Sequence, residues 1–167
     1  MKDLFGIIYC LFDSLFGQNL ADYLWGYDCN MQSFSNTNVF NRIGLLTLLL
    51  SFVIVFSYYY LINHPRFNRW WSWLVMLGVT GATGLFLGYG WTVADFHKGL
   101  MGDCLLYLRD ANGEITSSLI RESDCWMFGV VNGILSIGFF ILFSLAINIG
   151  GRLIPRLASR NCKYSPF

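Results

Sequence analysis

Between Trp70 and Trp91 the chain runs 22 residues, WWSWLVMLGVTGATGLFLGYGW, without a charged side chain. As a helix rising about 1.5 Å per residue, this stretch reaches roughly 33 Å, enough to cross a hydrocarbon core about 30 Å thick. Tryptophans stand at both ends, the depth that amphipathic rings prefer. Its interior is rich in glycine, which weakens a soluble helix but is common where membrane helices touch.

Two further runs repeat the pattern, Ile43–Ile62 and Trp126–Ile149, again without charge. Only 13% of the chain is charged, against about 25% in an ordinary soluble domain. The expected fold is therefore an all-α polytopic membrane protein with three transmembrane helices. Asn63-His64-Pro65-Arg66-Phe67-Asn68-Arg69 joins the first two as a short basic turn, with proline ending the first helix.

A formal net charge of +1 hides an asymmetry. The acids lie at Asp3, Asp13, Asp22 and Asp28 and then between Asp95 and Asp124, whereas Arg66, Arg69, Arg152, Arg156, Arg160 and Lys163 lie in two acid-free places. The positive-inside rule makes those two places cytoplasmic. The N-terminus is then outside and the C-terminus in the cytoplasm of a bacterial inner membrane. Trp25, Trp91 and Trp126 mark the outer interface, and Trp70, Trp71 and Trp73 the inner one. The divisions expected are 1–42, an interfacial helix and outward loop; 43–91, a transmembrane hairpin; 92–125, an outward cap; 126–150, the third span; and 151–167, a basic tail. No cleaved signal peptide is expected, because Asn19-Leu20-Ala21 is a poor cleavage site.

Residues 1–16 read as an amphipathic helix in the interface plane, with Lys2, Asp3, Gly6, Asp13, Ser14 and Gly17 on one arc and Leu4, Ile7, Ile8, Leu11, Phe12 and Leu15 filling the rest. A fourth span through Trp25 is the alternative. It would put Asp13 and Asp22 at membrane depth, at about 3 kcal/mol each. In the cap, Asn112-Gly113 between two β-prone runs predicts a hairpin on a type I′ turn. Gly150-Gly151 is expected to break or bend the third helix.

On a helical wheel Gly78, Gly81, Gly84 and Gly88 share one face of the second span. Gly129, Asn132, Gly133 and Ser136 form a stripe on the third, and Gly44, Thr47 and Ser51 face them from the first. Small residues let helices approach closely, either within one protomer or between protomers. The bases at Arg66, Arg69, Arg152, Arg156, Arg160 and Lys163 set topology and suit anionic lipid or an acidic partner.

Cys29, Cys104 and Cys125 face outward, where a disulfide is permitted. Cys104 and Cys125 flank the hairpin, yet strict pairing about Asn112-Gly113 sets Cys104 opposite Arg121, so a Cys29 bridge to either is equally open. In size and in its outward cysteines the chain is similar to the DsbB family of small four-span quinone-linked thiol oxidases, a resemblance that implies thiol–disulfide exchange. It departs from that family in lacking any Cys-x-x-Cys and in having three outward cysteines where the family has two pairs. His97 lies near Asp95, Asp103 and Cys104, ligands by type but without a recognised metal spacing.

The spans hold no ionisable residue of the sort that coupled transport uses. No phosphate loop, Gly-x-Ser-x-Gly or His-Glu-x-x-His is present. The function expected is non-enzymatic: a membrane scaffold or anchor subunit of a larger oligomeric complex, such as an envelope-spanning secretion or defence machine. A homo-oligomeric channel and a membrane thiol–disulfide oxidoreductase are the alternatives. Expected partners are the lipid bilayer, other copies of the chain and other envelope proteins. No nucleic acid, metal or cofactor is expected.

Overall fold

The computed structural model describes residues 4–34, 37–62, 70–110 and 113–153. It is mostly helical. Three helices, over Val39–Leu61, Trp70–His97 and Glu122–Gly150, are long and apolar enough to cross a membrane.

In chain order the elements are α1 (Leu4–Cys10), α2 (Asp13–Phe16), α3 (Gln18–Trp25), β1 (Tyr27–Asp28), β2 (Ser33–Phe34), α4 (Val39–Phe56), α5 (Trp70–His97), α6 (Asp103–Leu106), β3 (Tyr107–Arg109), β4 (Ile115–Ser118) and α7 (Glu122–Leu153). A π-helical turn over Ser57–Leu61 extends α4, and the amide of Ile62 donates to the carbonyl of Ser57 at 2.9 Å. The Pro65 turn lies outside the described residues. α5 runs six residues past Trp91, and so carries Asp95 on a helix instead of a cap loop. α7 continues through Gly150 and Gly151 to Leu153, so the expected break there does not occur.

The N-terminal segment departs furthest from expectation. It is three short helices, of which the longest has eight residues. Gly17 sits at φ +87°, a region that glycine alone enters freely, and there the chain turns from α2 into α3. No helix within residues 4–25 is long enough to span. Ile7, Leu11 and Leu15 are exposed, while Tyr9 and Phe16 are fully buried against the rest of the unit. Aromatic rings bury more apolar area than aliphatic side chains, and here they select the packed face.

The chain divides into two compact units. The first holds residues 1–45 and 85–132. Its core is a ring cluster in which Tyr9 stacks on Phe40 with centroids 5.1 Å apart, while Phe16 meets Phe128 edge-on at 5.3 Å. Trp25 meets Phe40 edge-on at 5.9 Å. Such pairs add about 0.5–1.5 kcal/mol each beyond area burial. The hydroxyl of Tyr9 donates to Oδ1 of buried Asn132. α5 and α7 are antiparallel and close here. A Cβ built on Gly129 would stand 2.8 Å from Tyr89 Cβ and 3.0 Å from the Leu85 carbonyl, and one on Gly88 would stand 2.8 Å from Asn132 Cβ.

The same unit carries both small sheets. β1 pairs with β2, a ladder absent from the sequence reading. β3 and β4 form the expected hairpin, with Tyr107 opposite Ser118 and Leu108 opposite Ser117, but the register slips so that Arg109 faces Ile115. The amide of Gly113 donates to the carbonyl of Asp110 at 2.8 Å, and Gly113 lies at φ +82°. Asn112, half of the expected two-residue turn, lies outside the described residues.

The second unit holds residues 46–84 and the chain from 133 onward. Val55, Tyr58, Tyr59, Trp73 and Phe140 form its buried core. Beside them runs a seam of hydroxyls. Ser51 Oγ donates to the Thr47 carbonyl at 2.8 Å, and Thr80 Oγ1 to the Met76 carbonyl at 2.8 Å. Ser136 Oγ lies 2.9 Å from the Thr80 carbonyl and 2.8 Å from that of Gly133, with one proton to share between them. Serine and threonine bonding back to the helix need no water, and they join small-residue helix faces at close range.

Candidate functional site

The first unit carries a cavity of about 530 Å³ at the ends of α3, α4 and α5. Tyr23 enters from the last turn of α3. Gly26 then ends that helix at φ +92°, its amide capping the carbonyls of Asp22 and Tyr23, and turns the chain so that Tyr27 and Asp28 also line the cavity. Asp28 Oδ1 accepts the amide of Asn30 at 2.9 Å, which holds the next bend. From α4, Arg42 joins the lining; Asn38 caps that helix by accepting the Asn41 amide on Oδ1 at 3.2 Å. Trp91 and Asp95 come from α5, four residues apart and so neighbours on one face.

A disulfide between Cys29 and Cys104, with Cα atoms 6.0 Å apart, closes one wall. Gly102 permits it, because a Cβ there would collide with the Cys29 sulfur. Cys104 lies in α6, not in the β-ladder, and it is therefore bound to Cys29 rather than to Cys125 across the hairpin. Cys125 is free and buried.

Electrostatically the cavity is mixed. The Tyr23 hydroxyl donates to Asp95 Oδ2 at 3.1 Å. Burial, and then the Asp95 carboxylate, push the Tyr23 phenol well above its ordinary value, so it remains a proton donor at any physiological pH. Burial likewise raises the carboxyl of neighbouring Asp22. Arg42 makes no ion pair among the described residues, where the ion pair found joins exposed Arg109 and Asp103 at 3.2 Å. A guanidinium beside a cavity without its own carboxylate partner is a ready anion contact.

The residues expected to form a helix-packing face are brought together only in part. Gly81 faces Ile137 in the second unit, while Gly88 and Gly129 face Asn132 and Tyr89 in the first. Gly84, Gly133 and Ser136 are also buried. The glycine groove is thus filled by the chain's own helices. Gly78 is the exception, exposed and with open space around it. Arg66, Arg69, Arg156, Arg160 and Lys163 lie outside the described residues, and Arg152 is described by its place in the last turn of α7 alone. His97 turns its Nδ1 to the Val93 carbonyl at 2.9 Å. Among the described residues no group of three His, Cys, Asp or Glu is placed to hold a metal ion.

Sequence reasoning missed Tyr23, Tyr27, Asp28, Arg42 and Asp95 as a group. The signal available was aromatic–acid interleaving, Tyr27-Asp28 and Trp91 with Asp95 one helical turn on. Comparison of the chain with protein-family models, curated proteins and solved structures finds no match.

Proposed function

We propose that this chain is a non-enzymatic integral membrane subunit, an anchor or scaffold within a larger complex of the bacterial envelope, whose outward cap carries its recognition site. The observation that supports this most is how little of the apolar helices the chain covers itself. Of the most apolar window in each, 22% is buried for Trp70–His97 and 33% for the other two. Phe86, Val75, Leu142 and Ile134 are all exposed. That surface needs lipid or other helices against it.

The buried polar residues point the same way. Thr47, Ser51, Thr80, Thr92, Asn132, Ser136, Ser144 and Asn148 are hydroxyls and amides, the glue of helix assembly. Basic residues at Arg66, Arg69 and the tail favour a cytoplasmic C-terminus. Because the glycine groove is occupied from within, the contact surface for partners is assigned to the exposed apolar residues and the cap.

A photo-crosslinking side chain placed at Phe86 or Leu142 tests the reading in native membranes. Protein–protein adducts at one of these positions are expected. Adducts to lipid alone at every exposed helix position would overturn it. The channel alternative requires ion flux from purified protein in liposomes, and the oxidoreductase alternative requires loss of function when Cys29, Cys104 and Cys125 all become serine.

A further inference from the structure

We propose that the cap cavity binds a zwitterion carrying an ammonium and a phosphate, as in a phosphoethanolamine or phosphocholine group. Three features of the cavity carry this. Arg42 lines it and makes no ion pair among the described residues, so an anionic group arriving there gains a charge-assisted contact without displacing a carboxylate of the chain. A tetrahedral phosphate suits the planar guanidinium fork.

A cation site stands in the same cavity. Asp95 has one oxygen held by the Tyr23 hydroxyl and no side-chain hydrogen bond to its other oxygen among the described residues, and the aromatic residues Tyr23, Tyr27 and Trp91 line the same cavity. Aromatic faces combined with a carboxylate are the recurrent means of holding an alkylammonium. Asp28 adds a second negative charge to the lining.

Size and position agree. A volume of about 530 Å³ falls within the usual range for small-molecule sites, roughly 300–1,000 Å³, and leaves room for a glycerol beyond the headgroup. Arg42 lies in the first turn of one apolar helix, and Trp91 and Asp95 lie in the last two turns of another. Those helix ends are where headgroups stand if the helices span a bilayer; the lipid source, though not the site chemistry, rests on the membrane reading above.

The test uses the full-length protein purified in mild detergent. Soluble glycerophosphoethanolamine and glycerophosphocholine are titrated by calorimetry, with inorganic phosphate as the comparison. In parallel, retained lipid is identified by native mass spectrometry after exchange into phosphatidylethanolamine or phosphatidylglycerol micelles. Arg42→Gln is expected to weaken binding tenfold or more, Asp95→Asn at least threefold, and Arg42→Lys less than Arg42→Gln. Each variant's thermal midpoint is measured, so a folding defect shows separately. Binding of the soluble diesters, sensitive to both residues, supports the site with a free ligand. Retention of phosphatidylethanolamine over phosphatidylglycerol, sensitive to both, supports it with a lipid. Equal affinity for inorganic phosphate, equal retention of the two lipids, or indifference to Arg42→Gln overturns the proposal, as does no binding in either arm. The soluble arm succeeds or fails whatever the membrane topology.

Discussion

Gly129→Ala is the substitution whose cost the structure defines most closely. The added Cβ would meet Tyr89 Cβ at 2.8 Å, the Leu85 carbonyl at 3.0 Å and the Tyr89 amide at 3.1 Å. None of these is the far end of a flexible side chain, so no rotamer change relieves the contact and α5 must move away from α7. Overpacking of this sort costs about 1–3 kcal/mol. Alanine also gains about 1 kcal/mol over glycine in helix propensity, which would mask part of the loss. Gly138→Ala on the same helix removes that ambiguity, because nothing lies within 4 Å of a Cβ there. Propensity cancels between the two variants, and the difference is the overpacking alone. At about 2–4 °C per kcal/mol for a chain of this size, Gly129→Ala should melt about 2–12 °C below Gly138→Ala. Thermal unfolding in one detergent, followed by circular dichroism, measures it. If Gly129→Ala melts at or above Gly138→Ala, the close α5–α7 contact is not present.

Tyr9→Phe removes the donor to buried Asn132 and should cost about 1–2 kcal/mol; with Asn132→Leu in the background, most of that cost should vanish in a double-mutant cycle. The Cys29–Cys104 bridge closes a separation of 75 residues, so Cys29→Ser with Cys104→Ser should destabilise by up to about 4 kcal/mol. Peptide mapping without reductant should find that bridge and leave Cys125 to react only after unfolding. Tyr23 holds its proton above the ordinary tyrosine value, so the stability tied to it is complete below about pH 10 and is lost as pH rises beyond that. Tyr23→Phe should flatten this alkaline decline in a pH series of thermal midpoints.

The long helices were legible because a run of 20 or more uncharged residues has few other fates, and Trp70 and Trp126 placed two of their ends within four residues, while α5 ran six residues past Trp91. The hairpin was legible from Asn112-Gly113, but the register slip between Leu108 and Arg109 was not. The disulfide stayed open because strand pairing places Cys104 by a β-ladder, whereas the chain turns it into α6. The N-terminal segment was read as one helix because a helical wheel assumes one, whereas the chain breaks between Cys10 and Asp13. Gly17 ended α2, and the rings of Tyr9 and Phe16 decided the buried face. The cavity was hidden for a plainer reason: its lining comes from residues as far apart as Tyr23 and Gly102, and only folding brings them together.

The proposed role as a subunit of a larger complex requires that the exposed apolar helices be completed by other protein. Native mass spectrometry of the full-length chain, extracted from its own membranes in mild detergent, addresses it directly. A mass of several chains, or of the chain with a second protein, is the expected result. A single chain carrying only lipid, across detergents and extraction conditions, would contradict it.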